Sequence, residues 1–247
     1  MASTTETGHA INVANLDVLI SFVSDYGTAY NPSNAAIALP ALQSLSARSK
    51  TAMAAVNSAL SAYTNAIAAR EIAFAPLSKF ITRVSNALKA SGASAQTIDS
   101  AKSLARKIQG GRASAKLSDE EKQLKAAAGK TVKESSASQM SYDNRLDNFD
   151  KLIKLLASNA VYAPNETELT VTGLTALYTA LNSSNAAVVA ASVTLNNARI
   201  ARNEVLYHNP SGIYDAAGDA KAYVKSVFGA SSPQFKQIGG LKFTNLR

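Results

Sequence analysis

Residues 41–74 carry a hydrophobic and small-residue stripe at steps of three and four: Leu42, Leu45, Ser49, Ala52, Val56, Ala59, Tyr63 and Ala66. A spacing near 3.5 is the seam of helices packed side by side in a bundle or coiled coil. The chain writes this pattern twice. Leu174, Leu177, Leu181, Val188, Ala191, Leu195 and Ala198 keep the phase through 173–207, and Leu42, Leu45, Val56, Ala59 and Tyr63 have counterparts 132 positions later. Alternate seam positions are small (Ala52, Ala59 and Ala66, then Ser184, Ala191 and Ala198), which predicts close approach of the two backbones. At 1.5 Å per residue each helix would be a rod of roughly 50 Å.

The repetition reaches beyond the helix. Asn15-Leu16-Asp17 matches Asn148-Phe149-Asp150, Tyr30-Asn31-Pro32 matches Tyr162-Ala163-Pro164, and Glu71 and Pro76 match Glu204 and Pro210. Further on the halves align loosely, around Gly92-Ala93-Ser94 and Gly229-Ala230-Ser231. The pattern predicts a first repeat over 11–110, a basic connector over 111–133 and a second repeat over 134–247, both repeats forming one bundle. The fold class expected is all-α: an elongated helical bundle with long alanine-rich helices, paired antiparallel, and an internal pseudo-twofold repeat.

Local signals supply the remaining elements. Residues 1–10 read as a flexible polar tail, 12–25 as a first helix and 27–34 as a loop. Pro40 suits a first helical turn and Pro76 a stop or kink. Helices are predicted over 77–90, 97–109 (ended by Gly110-Gly111), 136–158 and 213–228. Ser118 to Glu121 forms a capping box, predicting a short helix over 119–128. The C-terminal stretch reads as a short helix followed by an irregular tail, with Leu241-Lys242-Phe243 extended and docked.

Composition narrows the class. Of the 247 residues 47% are hydrophobic, enough for a core, but only 6% are aromatic, which suits slim helices over a thick globular centre. The absence of cysteine removes disulfides and thiolate metal sites. No run approaches the roughly 18 apolar residues of a membrane span, and residues 1–10 lack an export signal. A cytoplasmic protein is expected, with leaderless export left open.

The charge of +8 is concentrated: residues 100–133 hold nine basic and three acidic residues, a net +6. Within it Lys102, Arg106, Lys107, Arg112 and Lys116 are the candidate polyanion-binding residues, able to neutralise phosphates without reading sequence. The segment has no aromatic residue to stack on bases, so a polar surface over a connector explains it as well.

Other candidates are weaker. A metal or catalytic pair of His9 and His208 would need them brought together with carboxylates, and nothing in the spacing suggests it. Gly129-Lys130-Thr131 ends like a phosphate loop, but Leu124 stands where its first glycine belongs. Asp143, Asp147 and Asp150 share one helix face and could attract a cation, although Arg145 and Lys151 make a solvated face equally natural. Glu71 and Glu204 end the long helices, where a negative charge is mildly unfavourable; ion pairs with Arg70 and Arg202 are expected. Neither catalytic residues, a metal, a cofactor nor a small-molecule substrate is indicated.

The stretches Ser141-Tyr142-Asp143-Asn144-Arg145-Leu146-Asp147-Asn148-Phe149-Asp150-Lys151-Leu152 and Tyr223-Val224-Lys225-Ser226-Val227-Phe228-Gly229-Ala230-Ser231-Ser232-Pro233 resemble ones in uncharacterised bacterial proteins. The resemblance covers most of the chain and implies a duplicated all-helical protein; it brings no function and no site residue. The expectation is therefore a non-enzymatic structural or interaction protein that presents a long helical surface to itself or another protein. A nucleic-acid-binding protein using the segment from Lys102 to Lys133 is the alternative, and an enzyme centred on Glu71 and Glu204 the third.

Overall fold

The computed structural model describes residues 7–111 and 140–246, with Glu120, Gln123, Leu124, Ala127 and Ala128 between them. Among these residues the protein is all-α, without strands. Its helices are α1 (Thr7–Asp25), α2 (Leu39–Phe74), α3 (Leu77–Ala90), α4 (Ala95–Gln109), α5 (Tyr142–Ala157), α6 (Val171–Tyr207), α7 (Ile213–Phe228) and α8 (Pro233–Gly239). Short 3₁₀ turns at Ala35–Ile37 and Thr167–Leu169 precede the two long helices. No described helix is long and apolar enough to cross a membrane.

The chain forms two compact units, Met1–Thr64 with Ala190–Arg247 and Asn65–Val189. The first unit takes α1 and the start of α2 from one part of the sequence, and the end of α6, α7 and α8 from the other. Its core joins Leu16, Leu19 and Val23 of α1 to Leu42 and Leu45, and to Leu206, Ala217 and Val224. A neighbouring cluster joins Val56 and Ala59 to Leu195. Low numbers on α2 thus meet high numbers on α6, so the long helices run antiparallel here, as expected. The second unit combines the end of α2, α3, α4, α5 and the start of α6; Phe74, Ile81, Leu88 and Ile108 pack with Phe149, Leu152, Leu156 and Leu174.

The seam residues are where periodicity put them: Leu42, Ser49, Val56, Leu174, Leu181 and Val188 are all buried. The expected close approach of the long pair is not observed among the described residues. The most extensive helix–helix contact among the described residues is instead between α4 and α5. There α4 buries Ala101, Ala105 and Ile108, and small side chains admit a neighbour.

Helix starts differ from expectation where side chains cap them. Ser94 accepts from the Thr97 N–H, so α4 begins at Ala95, two residues early. Ser141 accepts from the Asn144 N–H, so α5 begins at Tyr142. Each satisfies an orphan N–H of the first turn. α1 begins at Thr7, and His9 is buried, its Nδ1 2.7 Å from the Tyr207 hydroxyl. The flexible tail expected over 1–10 is thus corrected from Thr7 onward. The expected helix over 119–128 lies mostly outside the described residues.

Gly173 lets α6 start tight against the preceding turn: a Cβ there would lie 2.3 Å from the Thr167 carbonyl oxygen. The C-terminal segment after α8 is docked on α1, as expected. The Asn12 amide donates to the Thr244 carbonyl at 2.7 Å and accepts from the Thr244 N–H at 3.1 Å. Asn15 donates to the Lys242 carbonyl at 2.7 Å, and the Lys221 ammonium donates to the Leu241 carbonyl.

Candidate polyanion-binding groove

In the second unit α3 and α4 form a helical hairpin turned by Ser91 to Ser94, with Gly92 at φ 77°. Both helices are strongly amphipathic. α3 buries Leu77, Ile81, Val84 and Leu88, while α4 buries Ala101, Ala105 and Ile108. Their polar faces leave a groove of about 320 Å³ on the outside of the hairpin.

The groove is cationic. Lys89 lines it from the last turn of α3, and Lys102 and Arg106 line it from α4, one helical turn apart. Its polar wall is completed by Thr82, Ser85, Asn86 and Gln109, and its floor is the apolar side of Leu88, Ile98 and Ala101. The α4 end is rigidly built: the amide of Gln109 donates to the Ser78 carbonyl at 2.8 Å and to the Thr82 hydroxyl at 2.9 Å. Gly110 closes the helix with φ 76°, and the Gly111 N–H donates to the Arg106 carbonyl at 2.9 Å.

Of the residues expected to bind a polyanion, the structure brings Lys102 and Arg106 into one groove. Lys107 is exposed on α4 but does not line it. Arg112 and Lys116 lie outside the described residues. Sequence reasoning missed Lys89. The signal was present in the four-residue turn at Ser91 to Ser94, since a short connection makes its helices antiparallel neighbours and folds Lys89 back toward α4. Lys102 also pairs with Asp99 at 3.2 Å, both side chains well exposed; such a pair holds its lysine only weakly.

The other candidates resolve into structural contacts. Asp143 accepts from Asn185 at 2.7 Å, Asp147 pairs with Lys151 and Asp150 with Lys154. Each carboxylate of the shared face has its own partner, and among the described residues there is no group of acidic or histidine side chains able to hold a metal. The expected ion pairs of Glu71 with Arg70 and Glu204 with Arg202 do not form. Arg70 turns onto the Tyr142 ring, 3.9 Å from its centroid, and donates to Asn185 at 3.0 Å. Glu204 pairs instead with His208, 2.6 Å away, at the exposed end of α6. Arg202 is buried and donates to Asn203 at 2.8 Å. Of the two arginines, Arg70 takes partners distant in sequence, whereas Arg202 bonds its immediate neighbour.

Sequence reasoning also missed Arg145. It is buried under the helix ends of the second unit, donating to the Ile108 carbonyl at 3.2 Å and to the Phe74 carbonyl at 3.5 Å. Burial holds its guanidinium below the usual arginine range, partly offset by the neighbouring Tyr142 phenol.

No protein family's sequence model matches this chain, and comparisons with curated proteins and with solved structures likewise gave no match.

Proposed function

We propose that the protein is a non-enzymatic structural or interaction protein built from a duplicated helical unit, which presents a long helical surface and assembles with its own copies. The observation that carries this reading is an apolar stripe on α6. Within the first unit Val193 and Ile200 are 53% and 67% exposed. At 100° per residue they fall within about 20° of one another around the helix axis. Single exposed hydrophobics are ordinary, whereas aligned ones mark an interaction face. The exposure of Glu71 and Glu204 supports a non-catalytic role for both.

Matched local structure supports the duplication. Tyr30 donates to the Ile37 carbonyl and Tyr162 to the Leu169 carbonyl, each at 2.7 Å and each across seven residues. The test is solution mass by light scattering across protein concentration, at low and high salt, on nucleic-acid-free protein. Assembly that persists in high salt is expected, and a single-chain mass at every concentration would overturn the reading. A second reading, a nucleic-acid-binding protein, is favoured by one specific observation: Lys89, Lys102 and Arg106 share a groove.

A further inference from the structure

The α3–α4 groove carries more charge than a structural hairpin needs. Three cations line it and none of its described lining residues is acidic. A hairpin that served only to pack would gain from carboxylates opposite these lysines, because like charges brought side by side repel. Lys89 and Arg106 have no ion-pair partner among the described residues, and Lys102 has only the exposed Asp99. The site therefore has unspent positive charge in a concave, partly apolar setting.

Its shape and chemistry limit what fits. Asn86 adds an amide donor beside the three cations, whereas the Ser85 hydroxyl is turned back to the Ile81 carbonyl at 2.9 Å. No aromatic side chain lines the groove, so bases would have nothing to stack on. What remains is recognition of phosphates by charge. A concavity between two helices admits one strand's backbone more readily than the convex surface of a duplex.

We infer that the α3–α4 groove binds the phosphodiester backbone of single-stranded nucleic acid without reading its sequence, through Lys89, Lys102 and Arg106. The inference rests on the nucleic-acid reading above and adds where contact is made and which strand form is taken.

The experiment is anisotropy titration of a labelled oligothymidylate of about 20 nucleotides, long enough to span several phosphates, over a series of salt concentrations. Each phosphate neutralised on a single strand contributes about −0.7 to the slope of log affinity against log salt. The triple variant Lys89→Ala, Lys102→Ala, Arg106→Ala should therefore bind at least tenfold more weakly and with a slope shallower by about 2. The control Lys79→Ala, Lys236→Ala, Lys242→Ala removes equal charge from exposed positions elsewhere and should leave both unchanged. All six side chains are exposed or half-buried, and circular dichroism melts verify that both variants fold. If both variants weaken binding equally, charge acts globally, which overturns the groove but leaves nucleic-acid binding standing. If the unaltered protein shows no salt-sensitive binding, both fail. A duplex of the same length bound as tightly as the single strand would overturn the strand preference.

Discussion

The two compact units solve one packing problem with different polar side chains. In the first, α1 lays its apolar face on the core and Asn12 anchors its outer edge. In the second, α5 does the same and Arg145 stands 133 positions later. Asn12 both donates to and accepts from Thr244, so it holds the backbone of the C-terminal segment. Arg145 only donates, and it serves the carbonyls of Phe74 and Ile108, where α2 and α4 are ending. The chemistry of each side chain decides its partner. An amide can both donate to and accept from an irregular backbone segment, while a guanidinium needs spare carbonyls, which helix C-termini supply.

That contrast can be broken most severely at Arg145. Replacing it with Met removes a buried cation and strands the carbonyls it serves, and should cost about 2–4 kcal/mol, read by urea unfolding. Hydrogen exchange should show the loss in α4 and α5, with the first unit unchanged; equal loosening of α1 and α7 would contradict the separation of the two anchors. Gly173→Ala comes next, at about 1–3 kcal/mol, because the new Cβ meets the Thr167 carbonyl and the backbone must shift. Asn12→Ala should cost about 1–2 kcal/mol and raise exchange in residues 241–246 and α1. Exchange of the tail unchanged from wild type would show that Asn12 does not hold it.

The smallest effects sharpen the comparison instead. Tyr30→Phe and Tyr162→Phe each remove one buried hydroxyl bond and should each cost about 1 kcal/mol. The two losses should agree closely if the units share one local design. Burial, aided by Tyr223 beside Tyr30 and Glu166 beside Tyr162, pushes both phenols up to about 12. Because the folded value lies above the unfolded one of about 10, the neutral phenols contribute stability fully below pH 10. That contribution is lost as pH rises from about 10 to 12, since only the unfolded chain releases the protons there. The double Phe variant should lack this part of the alkaline loss in denaturation curves.

Periodicity makes much of the fold legible in the sequence. The seams of α2 and α6, the bounds of α3 and α7, and the stops at Gly92 and Gly110 follow from spacing and backbone preference, which act locally. Contacts across the chain did not follow. Nothing near His9 points to Tyr207, almost two hundred positions away, and nothing near Arg145 points to Phe74. Arg70 and Glu71 are neighbours in sequence, yet consecutive residues on a helix diverge by 100°, so Arg70 found Tyr142 and Asn185. Of the basic candidates, helical spacing alone paired Lys102 with Arg106. Lys89 needed the hairpin to be folded.

The central claim is that an apolar face of α6, rather than charge, lets this protein assemble. The most direct test is light scattering on three proteins at one concentration and in high salt: the unaltered chain, Val193→Lys with Ile200→Lys, and the groove triple variant. The account predicts an assembly in the first and third and a single chain in the second. An assembly retained by the α6 variant, or lost only in the groove variant, would contradict it.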